Sequence, residues 1–195
     1  MLLLLNWLSI RKKGKMRLFI ALKTTPYEDE LFEIENKLKL LFSDVKWVDK
    51  QNLHVTLKFL GEFKESLLKE LQNVVKESLN CFNPFSFSIS GISGFPDISS
   101  ARVLFFSIND PEKTIEKAIK GVDVAVERFG IQREKSYVPH ITFGRVKNGQ
   151  ADLSRFNFDK FNLNVSASGI ILFESILRSE GPIYKEIFEF EFISK

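Results

Sequence analysis

The sequence is poor in cysteine and histidine. Its 195 residues include one cysteine, Cys81, and two histidines. A single cysteine cannot form an intrachain disulfide, which fits a reducing compartment, and we expect a cytoplasmic protein. Cys81 follows a helical pattern with no histidine nearby in sequence, so we interpret it as a packed residue rather than a nucleophile. Two histidines are few for a zinc site, since such sites usually take three or four protein ligands.

Long hydrophobic runs are also missing. The most apolar stretch, MLLLLNWLSI, has ten residues and is followed by the basic segment RKKGK. A membrane-spanning helix needs about 20 apolar residues, and a signal peptide places its positive charge before the apolar run. We therefore expect residues 1–15 to be an upstream extension, with the natural start at Met16 and one domain over 16–195. A short amphipathic anchor is the alternative for this segment.

Neither sign of charge dominates. The net charge of +3 comes from 28 basic and 25 acidic residues, which permits an anionic ligand but does not indicate binding of long nucleic acid. Hydrophobic residues make up 44% and charged residues 27%, as in ordinary globular proteins. The unusual abundance is 20 Phe against 3 Tyr and 2 Trp. Because Phe has no polar group, we expect most of these rings in the core.

Periodicity predicts an α+β fold without an internal linker. Apolar residues alternate in several short segments, and they recur at three- and four-residue spacing in three longer ones. The predicted strands are 17–23, 45–48, 53–61, 85–90, 102–108, 140–146, 161–175 (as one or two strands) and 184–193. The predicted helices are 27–42, 65–79 and 111–130, the last beginning near a proline and ending at a glycine.

Both histidines stand in the same four-residue frame. LHVTLKFLG (53–61) contains His54 and Thr56, and PHITFGRVK (139–147) contains His140 and Thr142. Since alternate residues of a strand share a face, each frame presents an imidazole and a hydroxyl side by side. A strand, a helix and a His-bearing strand precede residue 61, and a helix and a second His-bearing strand follow. Two similar lobes facing each other would place both frames in one central cleft.

The two frames differ at the next positions. Strict alternation puts Lys58 beside His54 and Thr56, with Phe59 pointing into the core. The same rule would put Arg145 toward the core. A bulge at Gly144 would return Arg145 to the polar face, since a glycine within a strand often marks a bulge.

Two imidazoles, two hydroxyls and two cations suit displacement at phosphorus. One neutral histidine can act as base and one protonated histidine as acid, while Thr, Lys and Arg donate to phosphate oxygens. A two-histidine metal site is less favoured, because neither frame has an acidic residue close by. No Gly-x-Ser-x-Gly elbow or phosphate-binding glycine-rich loop is present. A non-catalytic module that binds terminal phosphates remains the alternative from a different functional class.

The sequence resembles the two-histidine (2H) phosphoesterases, and among them the RNA 2′,3′-cyclic phosphodiesterases, also called 2′-5′ RNA ligases. The resemblance begins at Met16 and runs almost to the C-terminus. It rests on MRLFIAL, VKWVDKQNLHVTLKFLGE, GISGFPDISSARVLFFSI, YVPHITFGRVK and ILFESILRSEGPIYKEI. Residues 1–15 have no recognised counterpart.

The resemblance implies a bilobal α+β fold, with two antiparallel or mixed sheets, helices outside and a central cleft. It implies His54 as proton donor to the leaving 3′-oxygen and His140 as the acceptor that activates water. Thr56, Thr142, Lys58 and Arg145 would bind the phosphate, and no metal or nucleotide cofactor is implied. The partner would be RNA with a 2′,3′-cyclic phosphate end, such as a tRNA half, bound by a monomer without membrane association. The sequence alone does not separate donor from acceptor, and another cyclic or 2′-5′-linked substrate stays open.

Overall fold

The computed structural model describes residues 14–133, 137–156, 158, 161–179 and 181–193. Of the predicted extension 1–15, residues 1–13 lie outside the described residues. None of the helices in the described part of the chain has the length and apolar character needed to cross a bilayer.

The described regular structure has eight strands and three α-helices, besides four short 3₁₀ helices. The strands are β1 (Lys15–Thr24), β2 (Val45–Trp47), β3 (Thr56–Lys64), β4 (Phe85–Phe95), β5 (Val103–Asn109), β6 (His140–Val146), β7 (Leu163–Leu177) and β8 (Pro182–Glu191). The helices are α1 (Glu28–Lys39), α2 (Leu68–Leu79) and α3 (Thr114–Val126). The fold is therefore α+β, as the periodicity predicted.

The strands form one antiparallel sheet rather than the two sheets expected. Their order is β2-β6-β5-β4-β7-β1-β3, and β8 pairs with β7. The long strand β7 makes this possible, because its first residues pair with β4 and its later residues pair with β8, while β1 pairs along the opposite edge. The β3 half and the β6 half of the sheet thus meet in β7, and each half carries one histidine frame.

Apolar helix faces cover part of this sheet. Leu31 and Leu38 of α1 are buried, as are the regularly spaced leucine and valine side chains of α2. Helix α3 packs against both α2 and β3. Its Gly121 lies so near α2 that an added Cβ would sit 3.4 Å from the carbonyl oxygen of Ser78. The small residue lets the two helices approach closely.

Element boundaries differ from the predictions where local interactions decide them. Helix α3 begins at Thr114 rather than near Pro111, because the preceding residue, Lys113, has a left-handed backbone with φ 55°. The Asp110 carboxylate accepts a hydrogen bond from the Ile115 amide in the first turn at 2.7 Å. The segment 161–175, predicted as one or two strands, contains one strand, β7, which begins at Leu163 and continues to Leu177. Strand β4 continues past residue 90 to Phe95, with an irregularity in its pairing to β5 between Ile89 and Ile92.

Candidate active site

The two histidine frames meet at one cavity of about 560 Å³. His54 and Thr56 line it from the β3 half of the sheet, and His140 and Thr142 line it from the β6 half. His54 precedes the regular part of β3, but the backbone there still follows β1, since the Val55 carbonyl accepts from the Leu22 amide at 3.0 Å. Hydrogen-bonded backbone therefore holds all four side chains, two in each half of the sheet.

Each imidazole is fixed by a backbone carbonyl two residues earlier. Nδ1 of His54 lies 2.7 Å from the Asn52 oxygen, and Nδ1 of His140 lies 2.6 Å from the Val138 oxygen. A carbonyl oxygen can only accept, so Nδ1 carries the proton in both rings. In the neutral form, each Nε2 therefore keeps its lone pair for a group in the cavity.

Aromatic rings hold the two imidazoles from the side. His54 contacts Phe19, with ring centroids 4.9 Å apart, and Tyr184, edge-on at 5.2 Å. His140 contacts Phe95 and Phe105, each at 5.1 Å. These contacts restrict the rotation of each ring while leaving its Nε2 edge to the cavity.

Burial lowers the pKa of both histidines, because it disfavours the charged imidazolium. The carbonyl hydrogen bond opposes this effect in each case. The remaining cause differs between the two sites. The pKa of His54 is lowered further by His140, whereas the pKa of His140 is lowered further by Arg145. Burial is the largest cause at both sites. Among nearby charges, Arg145 acts on His140, and His140 acts on His54.

The prediction for Lys58 is wrong in orientation. A bulge at Leu57 interrupts the pairing of β3 with β1, because Ile20 pairs with Lys58 and Ala21 pairs with Thr56. The bulge turns Lys58 away from the cavity, so its side chain is 2% exposed. Its ammonium contacts the Asp123 carboxylate of α3 and donates to the Gln132 carbonyl, each at 2.7 Å. Lys58 thus connects β3 to α3 instead of facing a phosphate.

The prediction that Phe59 enters the core is wrong for the same reason. After the bulge, Phe59 returns to the cavity face, where it is 62% exposed and lines the cavity.

Arg145 returns to the cavity face as expected, but the extra residue of the bulge is Phe143 rather than Gly144. The pairing of β5 with β6 skips Phe143, since Leu104 pairs with Gly144 and Phe105 with Thr142. Phe143 and Gly144 are both buried, and Arg145 lines the cavity. Glycine is required on the core side, because a Cβ at position 144 would lie 2.7 Å from Cγ1 of Val45.

Sequence reasoning missed Arg17 and Tyr184, which both line the cavity. Burial raises the pKa of Tyr184, while Arg145 and Arg17 oppose that rise, so the phenol lies within electrostatic reach of both guanidinium groups. Alternation in β8 could not single out this tyrosine, and Arg17 was the first residue of an ordinary apolar strand, 17–23. The missing signal was the pairing of β1, β7 and β8, which brings these distant segments to His54.

Within the described ranges, no cluster of three or more His, Cys, Asp and Glu side chains could hold a metal ion. The cavity instead combines two proton-transfer groups with hydroxyl and guanidinium donors. Such a set can move protons and stabilise negative charge on an oxyanion or a phosphate.

Known proteins are similar to this chain in sequence. The family described as LigT like phosphoesterase matches residues 22–105 and 108–184. An RNA 2′,3′-cyclic phosphodiesterase of Methanothermobacter thermautotrophicus is 34% identical over 179 residues, covering 89% of this chain and 97% of the relative. The protein of the same name from Archaeoglobus fulgidus is 32% identical over 183 residues, covering 90% of this chain and 100% of the relative.

Solved structures support the same fold for this chain. The crystal structure of TT0787 of Thermus thermophilus superposes with a TM-score of 0.76 at 28% identity, covering 90% of this chain and 97% of that one. Escherichia coli LigT complexed with 3′-AMP gives a TM-score of 0.75 over 92% of this chain and 99% of that one, and at 19% identity it supports the fold alone. The matches in sequence, fold and paired histidine frames place this chain in the LigT-like phosphoesterase family of the 2H phosphoesterase superfamily.

Proposed function

We propose that this protein hydrolyses RNA 2′,3′-cyclic phosphate ends to 2′-phosphomonoesters by metal-independent acid–base catalysis. The observation that carries the proposal is the pair of imidazoles at one cavity, each with Nδ1 held by a carbonyl and Nε2 left for substrate. The names of the relatives at 32% and 34% identity support the choice of substrate class.

The reaction needs one base and one acid on opposite sides of the phosphorus. His140 takes a proton from water, whose oxygen forms a new bond to phosphorus. The bond from phosphorus to the 3′-oxygen breaks, and His54 gives that oxygen its proton. The phosphate stays on the 2′-oxygen, so the product is a 2′-phosphomonoester with a 3′-hydroxyl. Before the next turnover, His140 releases its proton to solvent and His54 takes one up.

The positive charge of Arg145 supports the role of His140 as the base. A bound phosphate anion favours protonation of a nearby imidazole, and one proton is needed on the acid. Burial disfavours the charged form of both rings, but Arg145 acts on His140 and is not among the causes that lower the pKa of His54. When His140 is neutral, its repulsion of a proton on His54 disappears. Among the nearby charges, Arg145 thus favours neutral His140, the state that a base needs.

Thr56, Thr142 and Arg145 are the proposed donors to the nonbridging phosphate oxygens. Both threonines stand two residues after a catalytic histidine, and Arg145 lines the same cavity beside His140. Hydroxyl and guanidinium donors stabilise the negative charge that grows on these oxygens in the transition state. Lys58 has no place in this set, because its ammonium is buried against Asp123.

The same geometry supports a second reaction with another nucleophile. If an RNA 5′-hydroxyl takes the place of water, His140 activates that hydroxyl, and attack on the cyclic phosphate joins the two ends through a 2′-5′ linkage. We include this ligation in the proposal as a second reaction at the same site, with tRNA halves as candidate substrates. We propose that the protein acts as a monomer.

The test is an end-group analysis with a cyclic-phosphate oligonucleotide in the presence of EDTA. We expect turnover to a 2′-phosphate, strongly reduced turnover in His54→Ala and His140→Ala, and unchanged turnover in Arg128→Gln, which alters an exposed residue outside the cavity. A 3′-phosphate product would contradict the assigned leaving group. Tight binding without turnover by the unaltered protein would instead favour an RNA-end binding module.

A further inference from the structure

Asn52 is a buried polar residue beside His54. It is 5% exposed, and it borders the cavity. It is the last residue of a short 3₁₀ helix, Lys50–Asn52, and stands two residues before His54. Burying a side-chain amide costs free energy unless the amide is hydrogen-bonded. An asparagine buried at this position therefore indicates a specific hydrogen bond rather than general packing.

Three hydrogen bonds meet at Asn52. Its side-chain Nδ2 donates to the Pro182 carbonyl oxygen at 3.0 Å. Its backbone amide donates to the Asp49 carbonyl oxygen at 2.7 Å, and its own carbonyl oxygen accepts from Nδ1 of His54 at 2.7 Å. The side chain therefore helps to fix the same residue whose carbonyl holds the imidazole.

The hydrogen bond to Pro182 also reaches the second wall of the His54 site. Pro182 is the first residue of β8, and Tyr184 follows two residues later on the same face. The ring of Tyr184 contacts His54 edge-on at 5.2 Å and Phe19 at 4.7 Å. Because β8 pairs with β7 in the sheet, the amide of Asn52 connects the beginning of β8 to the segment that carries His54. The carbonyl partner and the aromatic neighbour of His54 are thus tied to each other.

The His140 half is built differently at the corresponding residue. The carbonyl that holds His140 belongs to Val138, which is 53% exposed. A valine side chain has no group that could donate or accept a hydrogen bond. The side-chain anchor therefore belongs to the His54 half, to which the proposed function assigns the acid.

We propose that Asn52 is a positioning residue for the acid, whose side-chain amide binds Pro182 and so keeps its own carbonyl on Nδ1 of His54, with Nε2 directed at the leaving 3′-oxygen. The proposal rests on the proposed function, because it uses His54 as the acid. A misplacement of about 1 Å at a catalytic group can cost about 10²-fold in rate.

The kinetic experiment compares Asn52→Ala and Asn52→Leu with the wild type, using the cyclic-phosphate oligonucleotide. Leucine keeps about the size of asparagine but cannot donate. Both variants should lower kcat roughly 10- to 100-fold with little change in KM, because the acid is misplaced while the phosphate donors remain. Val75→Ala, in the buried face of α2 and outside the cavity, is the control for a general loss of stability and should keep the wild-type kcat.

The pH profile separates positioning from a general structural role. Burial lowers the pKa of His54, and the hydrogen bond to the Asn52 carbonyl raises it. Weakening that bond should lower the pKa further, so the acid loses its proton at lower pH and the alkaline limb moves to lower pH. The acidic limb, assigned to His140, should stay in place. Equal movement of both limbs would contradict a role confined to His54.

Histidine NMR tests the same proposal without turnover. The chain has two histidines, so ¹⁵N-histidine labelling of untagged protein gives few signals, and His54→Ala and His140→Ala assign them. At alkaline pH, where both rings are neutral, wild-type His54 should carry its proton on Nδ1. In Asn52→Ala and Asn52→Leu, the His54 signals should shift toward a mixture of the two tautomers, while those of His140 stay unchanged.

Two results would overturn the proposal. An unchanged His54 tautomer together with wild-type kcat in both variants would show that the anchor does not position the ring. Wild-type behaviour of Asn52→Leu beside a defective Asn52→Ala would show that Asn52 only fills space. Failure of the proposed function is seen separately, as absent wild-type turnover, and the tautomer measurement still decides whether Asn52 holds His54.

Discussion

The strands β3 and β6 carry the same histidine frame but differ in the residues after it. In both, Nδ1 of the histidine donates to the carbonyl two residues earlier, and a bulge lies directly after the threonine. The bulge turns two residues to the buried side and the third to the cavity. On the buried side, Lys58 in β3 corresponds to Gly144 in β6. On the cavity side, Phe59 corresponds to Arg145.

The two halves of the site share the histidine frame and the bulge, and they differ in the residues that follow the extra residue of the bulge. The frame and bulge supply two equivalent imidazoles and hydroxyls. The next cavity-facing residue then makes one side aromatic and the other cationic. The buried residue serves a different purpose in each half, since Lys58 contacts α3 while Gly144 leaves room for Val45 of β2.

The largest effect should come from removing either histidine. We expect His54→Ala and His140→Ala each to lower kcat/KM by roughly 10²- to 10⁴-fold, because each removes one proton-transfer group. The pH profile should distinguish them. A base must be neutral, so His140→Ala should remove the acidic limb, and an acid must be protonated, so His54→Ala should remove the alkaline limb. If both variants lose the same limb, the opposite roles of the two frames are disproved.

The next effect concerns Lys58, which interacts inside the protein rather than in the cavity. Lys58→Met should lower the free energy of unfolding by about 3–5 kcal/mol, because it leaves the Asp123 carboxylate buried without its cation. Urea denaturation measures this loss, and Lys64→Met, an exposed lysine of the same strand, is the control. Replacing Lys58 and Asp123 together by Met and Leu should recover much of the stability. An unchanged unfolding midpoint in Lys58→Met would contradict the structural role.

The sequence predicted the α+β class and the positions of the elements, because alternation and helical spacing report directly on buried faces. The strand 140–146 coincides with β6, and helix 65–79 includes α2. The single sheet was not predictable, since it depends on β7 pairing with β4 at one end and with β1 and β8 at the other. Periodicity identifies which residues are buried but not which strand lies beside them.

The paired frames could be identified from sequence because both histidines recur with the same neighbours. Lys58 could not be placed, since strict alternation fails at a bulge and no glycine marks the bulge in β3. Gly144 did mark the bulge in β6, and there the expectation for Arg145 held. Tyr184 and Arg17 reach the site through strand pairing with distant segments, a relation that local pattern does not contain.

A smaller effect should result from filling the space behind the second bulge. Gly144→Ala should reduce the free energy of unfolding by about 1–3 kcal/mol, because the new Cβ would lie 2.7 Å from Cγ1 of Val45, a stiff and buried side chain. Val45→Ala in the same protein should make room for this methyl group. We therefore expect the double variant to be more stable than the sum of the single changes predicts, as measured by thermal or urea unfolding. Strict additivity would show that the glycine is not needed for this contact.

The smallest expected change is a shift in pH dependence caused by Arg145. The positive charge of Arg145 helps to lower the pKa of His140, so Arg145→Gln should raise that pKa. A base with a higher pKa becomes neutral at higher pH, so the acidic limb of kcat/KM should move to higher pH. The alkaline limb, assigned to His54, should move less, since Arg145 is not among the causes that lower its pKa.

The maximum rate should also fall if Arg145 binds phosphate, but the limb position reports the charge effect separately. Arg128→Gln should leave both limbs in place. An acidic limb that stays fixed in Arg145→Gln, or moves to lower pH, would show that the cation beside the second frame does not set the protonation of His140.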